Sequence, residues 1–148
     1  LSFKSEMLSD CAPLVDPVQK ILSVGLRPKC LRDLTRGGLA SALYEISAIA
    51  KVGMEIEENK IQVHSTVRGA CEVLGLDPIY IANEGRFLAI VSREESAEVL
   101  SLLQSQQVTA NATIIGAVNS SCDVEVISPY GSRRILPVQH GELLPRIC

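Results

Sequence analysis

Leu39, Leu43, Ile46 and Ala50 recur at spacings of four, three and four. Those spacings put all four on one face of an α-helix, a face that must be buried against another element. Asp33-Leu34-Thr35-Arg36-Gly37-Gly38 stands directly before this helix, and a short strand is read around Lys29–Arg32, after Pro28. A strand, a glycine turn and an amphipathic helix in that order commit this part of the chain to mixed α and β structure.

The remaining patterns extend the same architecture. Asp10 is read as the cap of a helix opened by Ala12-Pro13-Leu14, with Leu14, Val18, Ile21 and Leu22 on one face and Gly25 at its end. Val52–Glu58 sends Val52, Met54 and Ile56 inward and Glu55 and Glu57 outward, the alternation of a half-buried strand. Ser65 or Thr66 caps a helix that runs to Leu74, where Gly75 stops it. Asp77–Arg86 reads as an extended piece and a turn, and the apolar run Phe87–Val91 as a central strand. Ser92 starts a helix over Glu94–Gln104. Strands follow at Thr113–Val118, Asp123–Ile127 and Arg133–Val138, with Tyr130-Gly131 turning between the last two. The order predicts an α+β fold: a mixed, largely antiparallel sheet flanked by helices.

Composition narrows the function classes. A chain of 148 residues is one ordinary domain or a large piece of a bigger protein. Chains of this size bury roughly 70% of their unfolded surface, so the core needs no disulfide or metal. The formal net charge of −3 and the lack of a Lys/Arg block argue against a nucleic-acid surface. With no Trp, three Tyr and two Phe, a base-stacking platform is not expected. Val99 to Cys122 is uncharged but interrupted by Gln104, Gln106, Gln107, Asn111 and Asn119, so it is not a membrane span. No signal peptide is read, and the start at Leu1 is taken as the edge of a fragment of a longer, cytoplasmic protein. The five cysteines, Cys11, Cys30, Cys71, Cys122 and Cys148, lack metal-ligand spacing, and most are expected to be reduced, buried and inert. The sequons at Asn111 and Asn119 are read as chance occurrences. His64 and His140 have no partner at ligand spacing and are read as surface residues; Arg133-Arg134 is read as a solvated strand end.

Three places carry candidate chemistry. The first is Asp33-x-Thr35-x-Gly37-Gly38. Paired glycines let a ligand approach the backbone, and free N–H groups at a helix start favour an anion. The competing explanation is a helix capped by Thr35, with the glycines there for packing. The second is Asn83-Glu84-Gly85-Arg86, where Glu84 is a candidate general base; a plain turn with a solvated Glu84 is the alternative. The third is the terminus Pro145-Arg146-Ile147-Cys148. Measured from Gly141, that arm spans about 25 Å when extended, far enough to carry the Cys148 thiol between sites. The alternative is a frayed end.

Taken together these residues resemble a known family. Arg32 to Ala40, Leu74 to Arg86 and Leu144 to Cys148, with Ser9-Asp10-Cys11-Ala12-Pro13, are similar to the HypE proteins of [NiFe]-hydrogenase maturation. The resemblance spans nearly the whole chain, and Pro-Arg-Ile-Cys is its most specific part. The Asp-x-Thr-x-Gly-Gly element is shared with the wider ATP-using superfamily of aminoimidazole ribonucleotide synthetase and selenophosphate synthetase. Leu34 stands where that pattern has Pro.

The resemblance implies a layered C-terminal domain over 1–140, with partial likeness to a ferredoxin fold, and a flexible tail over 141–148. It implies that a separate N-terminal domain carries most of the ATP and Mg²⁺ site and a homodimer interface. It further implies that the HypF carbamoyltransferase loads a carbamoyl group on Cys148. ATP-driven dehydration then gives a thiocyanate, and the cyano group passes to iron on a HypC–HypD complex. Within this chain it assigns catalysis to Cys148 and Glu84 and tail positioning to Pro145 and Arg146. Asp33, Thr35, Arg36, Gly37, Gly38 and Asn83 become a phosphate-facing or domain-contact surface. A partner-binding module that only presents the tail, or a domain of another ATP-using relative such as a selenophosphate synthetase-like enzyme, are the competing functions.

Overall fold

In the computed structural model, which describes residues 9–137, four helices alternate with the first three of six strands, and the last three strands follow in succession. They are α1 Val15–Ser23, β1 Cys30–Leu34, α2 Gly38–Ala50, β2 Gly53–Glu57, α3 Ser65–Leu74, β3 Asn83–Ile90, α4 Ser96–Gln104, β4 Gly116–Asn119, β5 Val124–Ile127 and β6 Arg133–Ile135. The mixed, largely antiparallel character expected from the sequence holds, but the strands divide into two ladders. β1 and β3 form an antiparallel pair, and the other four are ordered β4-β2-β5-β6. Only β2 and β5 run parallel; the β2–β4 and β5–β6 pairs are antiparallel.

Two apolar clusters hold these layers. In the larger, Leu39, Leu43 and Ala42 of α2 pack on Met54 and Ile56 of β2 and Val124 and Val126 of β5. Val126 and Leu43 are almost fully buried, at 0% and 1% exposure. In the smaller, Ile21 of α1 and Leu26 meet Val99 and Leu103 of α4, with Phe87 and Val91 packed alongside. The α2 face predicted from sequence spacing is therefore the face that is buried, except at Ala50, which lies exposed at the helix end.

Several local expectations change. Asp10 does not cap α1; the residue before the helix is Leu14, and Asp10 reaches β3 instead. Leu22 is 47% exposed, while Pro17 joins Ile21 on the buried side. Neither Ser65 nor Thr66 caps α3, whose cap position is His64. Gly75 does end it, at φ 66°, with Leu76 N–H donating to the Cys71 carbonyl. Phe87–Val91 is not a central strand: Phe87 to Ile90 belong to β3 in the two-stranded ladder, with β1 its only paired neighbour among the described residues, and Val91 lies just beyond the strand. Of the four described cysteines only Cys71 is buried; Cys11 and Cys122 are exposed. Burial pushes the Cys71 thiol pKa up, with the nearby Asp77 carboxylate adding to the effect.

Candidate functional site

Strand β1 ends where β3 begins, and this junction brings two of the three predicted motifs together. Leu34 pairs with Asn83, whereas Asp33, one residue earlier, pairs with Phe87. Glu84, Gly85 and Arg86 are therefore bulged out of the ladder. The expected Asn-Glu-Gly-Arg turn is instead the irregular start of a strand. Asn83 Oδ1 accepts the Gly85 N–H at 3.2 Å, and Asp10 Oδ2 accepts the Glu84 N–H at 3.0 Å. Glu84 is exposed.

The glycine turn lies on the other side of this junction. Gly37 and Gly38 both have φ 62°, in the left-handed region that L side chains rarely adopt. Gly37 is the N-cap of α2 and makes no side-chain cap, so Thr35 does not cap this helix. Gly38 is buried against neighbouring backbone: a Cβ there would fall 2.5 Å from the Ile81 carbonyl oxygen and 2.7 Å from that of Ile79. Gly38 thus locks the start of α2 onto the chain that leads into Asn83. Arg36 and Gly37 are exposed, Thr35 half-buried. Asp33 is paired with Arg32, which also donates from Nη2 to Glu45 Oε2 at 2.9 Å. The Arg32 guanidinium pKa is raised, mainly by that Glu45 bond.

Beside the bulge lies a cleft of about 360 Å³, lined by Asp10, His64, Thr66, Ile81, Asn83 and Arg86 among others. Arg86 Nη1 donates to the Gln62 carbonyl at 2.6 Å, which fixes one wall. His64 is exposed, as expected, and its Nδ1 lies 3.0 Å from Thr66 Oγ1. A larger apolar groove of about 1000 Å³, lined by Leu88 and Ile90 of β3 and Ala117 and Val118 of β4, does not include Thr35, Arg36 or Gly37. Thr35, Arg36, Gly37 and Gly38 line neither of these two clefts. Among the described residues no group of three His, Cys, Asp or Glu side chains is placed to hold a metal.

The structure assembles Asp33, Thr35, Arg36, Gly37, Gly38, Asn83 and Glu84 at one junction. Pro145, Arg146, Cys148 and His140 lie outside the described residues. Ser9-Asp10 followed by Ala12-Pro13 has the form of a helix start, which hides the approach of Asp10 to the bulge. Its contact to Glu84 spans 74 positions of sequence. The Arg133-Arg134 pair is also more than a solvated end. Arg133 Nη1 donates to Glu55 Oε1 at 2.7 Å and to Glu125 Oε2 at 2.8 Å, and Arg134 Nη2 to Asp77 Oδ2 at 3.1 Å.

Comparison with known proteins gives the family of the chain. Residues 2–128 match the family described as AIR synthase related protein, C-terminal domain, and the chain belongs to that family. Within the wider set of relatives it is similar to the carbamoyl dehydratase HypE. It is 41% identical to the Cupriavidus necator protein over 150 residues, covering 100% of this chain and 43% of that one. It is 39% identical to the Rhodobacter capsulatus protein, covering 100% of this chain and 44% of that one. The chain spans less than half the length of these curated relatives.

Solved structures give the same result. The crystal structure of Escherichia coli HypE superposes with a TM-score of 0.91 at 39% identity, over 98% of this chain and 45% of that one. A HypE in complex with ATP gives 0.89 at 35%, over 100% and 46%. HypE in a HypE–HypF complex gives 0.87 at 40%, over 93% and 45%. PurL of T. maritima, at 16% identity and a TM-score of 0.61, shares the fold alone. No helix among the described residues is long and apolar enough to cross a membrane.

Proposed function

We propose that this chain is the C-terminal domain, over 1–140, of an ATP-dependent carbamoyl dehydratase, with a tail over 141–148 that carries the reacting group on Cys148. The observation that supports this reading most is the placement of an exposed Glu84 on a bulge beside the glycine turn, in a chain 39–41% identical along its full length to carbamoyl dehydratases. Identity of that extent supports a shared reaction; the junction supports a place for it.

The chemistry sets the roles. A cysteine thiolate is a good carrier because it is nucleophilic and also a competent leaving group. Carbamoylation of Cys148 gives a thiocarboxamide, S–C(=O)–NH₂. Its conversion to S–C≡N removes one oxygen and two N–H protons, the balance of one water. ATP supplies the activation, by phosphorylating the thiocarboxamide oxygen so that it leaves as phosphate. One N–H proton passes to solvent as the oxygen is phosphorylated, which leaves S–C(=NH)–O–phosphate, and Glu84 accepts the other as the C–O bond breaks. Pro145 and Arg146 orient the tail. Arg36 and the N-terminus of α2 at Gly37 and Gly38 give a positive edge for a phosphate, and Asp33, Thr35 and Asn83 hold that edge in place. Mg²⁺ and most nucleotide contacts come from the remainder of the full-length protein. In the family's scheme HypF supplies the carbamoyl group, a HypC–HypD complex receives the cyano group, and the full-length protein works as a cytoplasmic homodimer.

Glu84→Gln in the full-length protein tests the assignment. The expected result is normal carbamoylation of Cys148 with dehydration slowed by at least ~10²-fold, the usual contribution of a general base. An unchanged dehydration rate would remove Glu84 from the mechanism.

A further inference from the structure

The bulge creates a requirement that the ladder itself does not meet. Between the Leu34–Asn83 and Asp33–Phe87 pairs, Glu84, Gly85 and Arg86 have no partner on β1. A backbone released from its ladder is held by whatever else bonds it. For Glu84 that is the Asp10 carboxylate, which accepts its N–H at 3.0 Å. Around this bond the fit is tight: a Cβ on Gly85 would overlap the Asp10 carbonyl oxygen and come within 3.2 Å of the Ala12 Cβ. The segment through Asp10 and Ala12 is thus laid directly across the bulge.

We infer that Asp10 is a positioning residue for Glu84. Its carboxylate replaces the missing ladder bond and fixes the backbone from which the Glu84 side chain projects. Asp10 transfers no proton and touches no reacting atom; it acts through Glu84. This inference rests on the reading of Glu84 as the proton acceptor.

The test uses the full-length protein with Cys148 already carbamoylated, following ATP-dependent loss of water from the tail peptide by mass in a single turnover. Asp10→Ala is expected to slow dehydration ~10-fold, the scale set by losing one charge-assisted hydrogen bond. The KM for ATP and the preceding carbamoylation of Cys148 stay unchanged. Asp10→Asn keeps an acceptor oxygen in the same place and restores most of the rate. Asp10→Glu keeps the charge but displaces the oxygen by one methylene and stays slow. Added to Glu84→Gln, Asp10→Ala has less than a twofold further effect.

If Asp10→Ala does not fold, the order Asn faster than Glu carries the test, and the reverse order overturns the inference. A full multiplicative loss in the double variant also overturns it. If Asp10→Ala is as fast as the parent while Glu84→Gln is slow, positioning fails and the base assignment survives. If Glu84→Gln itself is at full rate, the base assignment fails, and the inference about Asp10 with it.

Discussion

Gly38 shows how one residue ties the two motifs together. It combines a left-handed φ with a backbone contact that leaves no room for a methyl group. A left-handed alanine alone costs about 1–2 kcal/mol, and relieving the overlap with the Ile79 and Ile81 carbonyls requires the chain before Asn83 to move. Gly38→Ala is therefore expected to destabilise the protein by about 3 kcal/mol, read as a lower midpoint of thermal unfolding. A midpoint within a degree of the parent would show that the contact is not needed. Cys71 makes a pH-dependent contribution. Its thiol pKa is raised in the folded state, so at high pH the folded chain holds a proton that the unfolded chain has lost. That contribution is complete below the ordinary thiol value of about 8.5 and fades as pH rises through it. The parent should lose more stability than Cys71→Ala between pH ~8 and pH ~10; equal losses would contradict this.

At the scale of elements, helices were easier to read than strand partners. The face of α2 follows from its own spacing, and Gly75 marks the end of α3 through a local φ preference. The Asn83–Arg86 stretch could not be read that way. It looks like a turn because Asn and Gly favour turns, and it falls within β3 only because the distant β1 pairs on either side of it, at Asn83 and at Phe87. The bulge is a property of that pairing and is invisible in either segment alone. The division into two ladders has the same origin: the apolar run Phe87–Val91 shows burial, but Phe87 and Val91 are covered by α1 and α4, not by further strands. The turn Pro78–Tyr80 shows local and distant control together. Asp77 caps it by accepting the Ile79 N–H at 3.1 Å and also holds Arg134. Tyr80, 7% exposed, donates its hydroxyl to the Pro137 carbonyl at 3.1 Å. Tyr80→Phe keeps the ring and removes that bond, so a loss of about 1 kcal/mol is expected on chemical denaturation. A larger loss would mean that the chain at Pro137 depends on this bond for its position.

For the molecule as a whole, α2 and the β4-β2-β5-β6 ladder form the main support for the junction. Leu43 lies at the centre of that support, and Leu43→Ala should cost about 2–5 kcal/mol through the cavity it leaves. Three separate candidate motifs are legible in the sequence; among the described residues two of them meet, with Asp10 bonded beside them, a contact no local pattern shows. The proposed role of this domain is to serve dehydration of a carbamoyl group carried on its own tail. The most direct measurement is the mass of the C-terminal peptide of the full-length protein after incubation with its carbamoyltransferase, carbamoyl phosphate and ATP. The expected result is a carbamoyl adduct on Cys148 that loses the mass of one water only when ATP is present, and that keeps it in Glu84→Gln. An unmodified Cys148 in the presence of active carbamoyltransferase would contradict the account.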